Sequence, residues 1–305
     1  MLIVQHAVFS TLEAPFVAAG WQLAADSTFG TTNINSVTAD NTGRYLAVGS
    51  AGKAAISDNS AFTWTSVDVG FDESNIYAAA YADDIFMIGG SIGKIATSSD
   101  GENWTLRNSG FGASPVLGLS YSPSASLWIA VGGSGKLATS IDGINWVLRT
   151  SSFGTTYIND VYSSANIIVA VGYDGKLATS TNGTTWTQRS SSFVFSNIYG
   201  VTATPAASEY VAVGDSGKIA TSLDGITWTQ VFPNASFGSS AVNSVAANTF
   251  SYVAGGSAGK IATSTKTEAW TQRTSQFGLD TINDVYLGER IGIAVGNNGK
   301  IAYSV

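Results

Sequence analysis

Short apolar runs recur along this chain, each set off by clusters of Gly, Asn, Asp and Ser. No segment sustains a 3.6-residue apolar period, so no substantial helix is expected. The runs come in sets of four. In one such set, residues 157–163 read as strand A, 167–172 as strand B, 176–180 as strand C and 186–189 as strand D. The polar clusters between them are the chemistry that hairpins require. A Gly-x-x-Gly-Lys element falls between B and C, where glycine permits a positive φ.

The set repeats. The lysine of that element recurs as Lys53, Lys94, Lys136, Lys176, Lys218, Lys260 and Lys300. A tryptophan recurs as Trp21, Trp64, Trp104, Trp146, Trp186, Trp228 and Trp270. A phenylalanine recurs as Phe29, Phe71, Phe111, Phe153, Phe193, Phe237 and Phe277, each five residues before a branched apolar residue. Three markers each count seven, at intervals of 40 to 44 residues. Four strands repeated at that period predict an all-β, seven-bladed β-propeller of four-stranded antiparallel blades.

The repeat is out of phase with the chain ends. The first marker is a strand-D tryptophan, Trp21, and the last unit stops after strand C. The N-terminal Trp21 strand is therefore expected to complete the last blade, a 3+1 closure that also removes an exposed sheet edge. This divides the chain into an arm, 1–20, and a propeller, 21–305. The arm is apolar, lacks Lys and Arg, and is interrupted by Gln5, His6, Ser10, Glu13 and Pro15. No secretory signal and no membrane insertion are expected from it. Its residues 2–8 alternate as a short strand does, which fits either addition to a partner's sheet or folding back on its own ring.

Composition narrows the chemistry. There is no Cys and one His, so no disulfide framework and no thiolate or multi-histidine metal centre is expected. With 21 Asp+Glu against 14 Lys+Arg, the net charge is −7, which argues against nucleic acid as a partner. The one histidine lies outside the ring, so no Ser-His-Asp arrangement and no cofactor is expected.

The segment Ser98-Ser-Asp-Gly-Glu-Asn-Trp104 resembles the Asp-box (BNR) repeat, with similar copies ending at Trp146, Trp186 and Trp228. Each is one residue shorter than the usual pattern between Asp and Trp. The copies ending at Trp64 and Trp270 are degenerate, and the closing blade has none. The chain is similar to the propellers of photosystem II assembly factors and to repeat propellers of phage tail and virion proteins. The resemblance implies that Asp100, Asp142 and Asp224 shape the turn between strands C and D, on the face opposite the usual ligand entrance, and are not catalytic.

Two places on the other face are candidate binding sites. The seven turn lysines form a ring suited to an anionic glycan, a phosphate or an acidic partner, or they serve only to end the strand and keep it soluble. The variable residues at the start of strand A (Asn35, Tyr77, Leu117, Asn159, Tyr199, Asn243 and Asn283) surround one mouth of the channel. With the preceding loops, which include Tyr157, they suit a sugar read by amides and aromatic faces. The repeated Trp and Phe residues read as packing between blades. Arg107, Arg149, Arg189 and Arg273 fall on the outer strand of separate blades and do not converge as a sialidase requires.

The resemblance and the absence of a catalytic constellation together give the functional expectation. It is a non-enzymatic structural or interaction module of a virus particle (a phage tail, fibre or capsid-surface protein) contributing to host attachment. Its partners would be other virion or scaffold proteins, met through the 1–20 arm, and a cell-surface glycan. The alternatives are a glycan-binding lectin-type propeller and an assembly-factor propeller. Localisation would be the virion, or otherwise the cytoplasm.

Overall fold

The computed structural model describes residues 20–58, 61–206, 208–231, 236–267 and 269–305. The arm, with His6, lies outside these residues apart from Gly20. Seven four-stranded antiparallel sheets are arranged as blades. In the fourth, strands A to D are Ile158–Ser163, Ile168–Gly172, Leu177–Ser180 and Thr187–Arg189. Each lies within one residue of its predicted bounds. Strands A of neighbouring blades contact each other around the axis, so A lines the channel and D forms the rim. The helical content among the described residues is limited to single 3-10 turns at six of the B–C turns.

Closure follows the predicted plan. Strand Gln22–Leu23 pairs antiparallel with Ile301–Ser304, with Gln22 opposite Tyr303 and Leu23 opposite Ala302. Ala24 N donates to Ile301 O at 2.9 Å, and Ser27 Oγ donates to Gly299 O at 2.5 Å. The seventh blade is thus built from both ends of the ring, and the last strand C has no free edge.

The core lies between blades. Ile129, Val131 and Leu137 of blade 3 pack against Phe153, Ile158, Val161 and Ala170 of blade 4, and the same arrangement recurs around the ring. All seven repeat phenylalanines are essentially inaccessible. Burying each stabilises the ring by about 2–3 kcal/mol. The strand-C alanines Ala96, Ala138, Ala178, Ala220 and Ala262 are fully buried, which lets the sheets approach. Trp128, outside the repeat, fills the space between blades 2 and 3.

The two glycines of the B–C turn play different parts. The second, such as Gly175 at φ +64°, does occupy the left-handed region. The first is extended, at φ −167° for Gly172. It is needed because a Cβ there would sit 2.1 Å from Tyr157 O. The B–C turn is pressed against the loop that enters the same blade, and that contact builds the face described next.

Candidate functional site

The B–C turns and the D–A loops share one face of the disc. Each loop turns tightly after its buried phenylalanine, which leaves the Phe carbonyl pointing toward the neighbouring B–C turn. Every turn lysine uses that carbonyl. The Nζ–O distances are 2.9 Å for Lys53 to Phe29, 3.2 Å for Lys94 to Phe71 and 2.9 Å for Lys176 to Phe153. They are 3.2 Å for Lys218 to Phe193, 2.7 Å for Lys260 to Phe237 and 2.9 Å for Lys300 to Phe277. Lys136 donates to Phe111 O in the same way. Among the described residues, four lysines have a further partner. Lys176 reaches Thr156 Oγ1 at 2.7 Å and Lys218 reaches Ser196 Oγ at 2.8 Å. Lys94 pairs with Asp72 at 3.3 Å and Lys300 with Asp280 at 2.7 Å. The ring exists, but one or two of the three donors on each ammonium already hold the blade to its own loop.

Inside the lysine ring lies the channel mouth. Strand A of every blade begins with a β-bulge, and the extra residue is the variable one. A bulge re-aims its side chain. The four asparagines are aimed at the next blade. Asn35 Nδ2 donates to Ile76 O at 2.7 Å, and Asn159 to Ile198 O, Asn243 to Ile282 O and Asn283 to Ile34 O at 2.8 Å each. These amides stitch blades together and have fewer donors left for a ligand.

Below the mouth, strands A from all seven blades enclose a polar cavity of about 240 Å³. Two carboxylates sit in its wall at equivalent positions, Asp160 and Asp284, largely surrounded by protein but still meeting the channel. Asp160 accepts from Val161 N at 2.8 Å and Val201 N at 2.9 Å. Burial pushes its pKa up to about 7, outweighing those two donors. Asp284 is raised by burial too, but opposed by more donors. Ser244 Oγ reaches it at 2.6 Å, Ser36 Oγ at 2.8 Å, Val285 N at 2.9 Å and Val37 N at 3.0 Å. Both carboxylates bridge between blades. Sequence reasoning missed them because each stands alone in its strand.

The two tyrosines singled out from the sequence differ. Tyr157 is 39% exposed and stacks on Tyr173, with ring centroids 5.5 Å apart and planes 18° from parallel. Tyr199 is half-buried, and its hydroxyl donates to Asp215 Oδ1 at 2.8 Å. Burial raises its pKa, and the Asp215 contact adds to this. Tyr173 was not anticipated, although the equivalent turn position elsewhere holds Ser50, Ser91, Gly133, Asp215, Ser257 or Asn297.

The opposite face carries the C–D turns. Asp100 accepts from Glu102 N at 2.9 Å, Asn103 N at 2.8 Å, Asn103 Nδ2 at 2.8 Å and Ser98 Oγ at 2.9 Å. Asp142 repeats this arrangement, as does Asp224 with Thr227 in place of Asn. Hydrogen bonds from Asn103, from Asn145 and from Thr227 hold the three carboxyls well below the usual range, Asp224 at about 2. In six blades the Trp Nε1 donates to a carbonyl of this turn, as Trp104 does to Gly101 O at 2.9 Å. Trp21, whose turn is split between the chain ends, finds no acceptor among the described residues. On the rim, Arg107, Arg149, Arg189 and Arg273 each donate through Nε to a strand-C threonine of their own blade, 2.9–3.1 Å away.

Among known proteins, no family model matches the chain, the Asp-box repeat included. No curated protein matches it either. Solved structures do. YCF48 from Cyanidioschyzon merolae is 15% identical, with a TM-score of 0.71 over 94% of this chain and 98% of its own. YCF48 bound to a D1 peptide is 14% identical, with a TM-score of 0.73 over 95% and 96%. A catalytically inactive His-to-Ala variant of virginiamycin B lyase from Staphylococcus aureus, with quinupristin, is 13% identical, with a TM-score of 0.82 over 94% and 99%. At these identities the likeness is one of fold: the chain shares its fold with YCF48 and with a virginiamycin B lyase.

Proposed function

We propose that this chain is a non-enzymatic interaction scaffold that binds a segment of another protein, as an assembly factor does. The observation that carries this reading is the likeness, over nearly the whole ring, to a YCF48 structure that holds a peptide. The polar chemistry of the mouth supports it. The asparagine amides and lysine ammoniums that suit a sugar or an anion are engaged in holding blades and loops. The lyase neighbour loses activity when a histidine is replaced. The only histidine in this sequence, His6, precedes the first strand of the ring in the chain and falls outside the described residues. No comparison points to a virus particle or to a sugar ligand.

The test is to pass the full chain over a peptide array and a glycan array side by side. Saturable binding to a subset of peptides, with none to glycans, is the expected result. Glycan binding without peptide binding would overturn the reading in favour of the lectin alternative.

A further inference from the structure

One sector of the lysine-bearing face breaks the sevenfold pattern. The residue after each loop phenylalanine adopts a positive φ, and five blades place glycine there: Gly30, Gly112, Gly154, Gly238 and Gly278. Blade 2 has Asp72, and blade 5 has Val194 at φ +61°. A β-branched residue in the left-handed region is an outlier that costs stability. Val194 is 69% exposed and the next residue, Phe195, is 84% exposed. Two adjacent apolar side chains thus stand in solvent at a strained position where the repeat offers glycine. Ile92 in blade 2 shares the conformation, but neither loop beside it carries an exposed aromatic.

The stacked pair Tyr157 and Tyr173 lies alongside. Asp174 N donates to Asn197 Oδ1 at 3.2 Å, which fixes the turn bearing Tyr173 against the loop bearing Val194 and Phe195. Two carboxylates flank this surface. Asp174 is exposed, and Asp215 accepts from Tyr199 and from Asn197 N at 3.2 Å. The loop acids of blades 2 and 7, Asp72 and Asp280, pair with their lysines, whereas Asp174 and Asp215 enter no ion pair among the described residues. The lysines that close the same two turns, Lys176 and Lys218, donate to the D–A loops.

We propose that this sector of blades 4 and 5 is a docking surface for an arginine-bearing peptide. This rests on the interaction-scaffold reading and names its site and its partner's chemistry. Exposed tyrosine faces beside unpaired carboxylates suit a guanidinium, which stacks on aromatic rings and forks onto a carboxylate. Val194 and Phe195 take an apolar neighbour of that arginine. The strain at Val194 is the cost of presenting an apolar side chain where glycine would hold the loop equally well.

The test uses the full chain and fluorescent nonapeptide libraries with apolar residues around a fixed central Arg, Lys, Ala or Glu. The Arg library is expected to be retained at least about tenfold better than the Ala and Glu libraries, a preference that weakens as salt rises. Tyr173→Ala and Asp174→Asn each lower that retention about fivefold or more, with an unchanged melting temperature. Val194→Gly raises the melting temperature and lowers retention. Preference for the Glu library would overturn the proposal and return the site to the lysines. Retention of Arg peptides that is equal in all three variants would place the site elsewhere and leave the scaffold reading standing. Failure of every library to bind would sink both. Glycan binding lost on Tyr173→Ala would make the same surface a sugar site and contradict the proposal.

Discussion

Lys176 shows how a side chain that looks available in sequence is used by the fold. Its ammonium serves the Phe153 carbonyl and the Thr156 hydroxyl. Lys176→Met is expected to cost about 1–2 kcal/mol, read as a lower melting temperature, because a buried carbonyl loses a charged donor. No change would mean that the bond is incidental. Asp160 makes a pH-dependent contribution of the opposite sign to an ordinary ion-paired carboxylate. Its pKa in the folded protein, about 7, lies above the unfolded value of roughly 4. The stability it contributes is complete below the unfolded value and is lost as pH rises through 7. The melting temperature should therefore fall between pH 5 and 8, and Asp160→Asn should flatten that slope. The same slope in the variant would rule out Asp160 as its source. The C–D turn acids act at the other end. Their lowered pKa values stabilise the fold above the unfolded value, and that contribution is lost as pH falls through the folded values, about 2 for Asp224.

The blade is the element that the sequence expresses most fully. Strand order, the B–C turn and the C–D turn could all be read from the spacing of Gly-Lys, Trp and Phe, because each marks a backbone event repeated seven times. What the repeat does not express is direction. The lysines read as a ring, but their aim at the Phe carbonyls depends on the B–C turn folding over the loop, a tertiary contact. The constant interval of 23 to 25 residues between each Phe and its Lys was the available clue. Tyr173 is hidden in the sequence by a turn whose other copies carry small or polar residues, and Asp160 by a partner, Val201 N, that belongs to the next blade. The turn geometry makes a paired prediction. Gly172→Ala places a Cβ 2.1 Å from Tyr157 O and should cost about 3 kcal/mol or more. Gly154→Ala meets nothing within 4 Å and bears only its φ of +65°, a cost of about 1 kcal/mol. Chemical denaturation of both variants checks the order. Equal losses would mean that φ alone governs these glycines.

At the scale of the whole ring, closure makes the seven blades one body. Residues 20–27 supply the last strand D and its bonds to the final strand C. A chain lacking residues 1–27 should melt lower than one lacking only 1–19 and should self-associate through the exposed edge of Ile301–Ser304. Light scattering with thermal melts separates the two outcomes, and equal behaviour would refute the closure argument. On this closed ring the sevenfold pattern is broken most visibly where Tyr157, Tyr173, Val194 and Phe195 stand exposed together. On the interaction-scaffold reading, the molecule meets its partner there. The most direct measurement is hydrogen exchange of the full chain with and without the tightest Arg-library peptide. Protection is expected to be confined to the segments around 155–157, 173–175, 194–199 and 215–216. Protection centred on the C–D turns, on the outer strands or evenly around the lysine ring would contradict this placement.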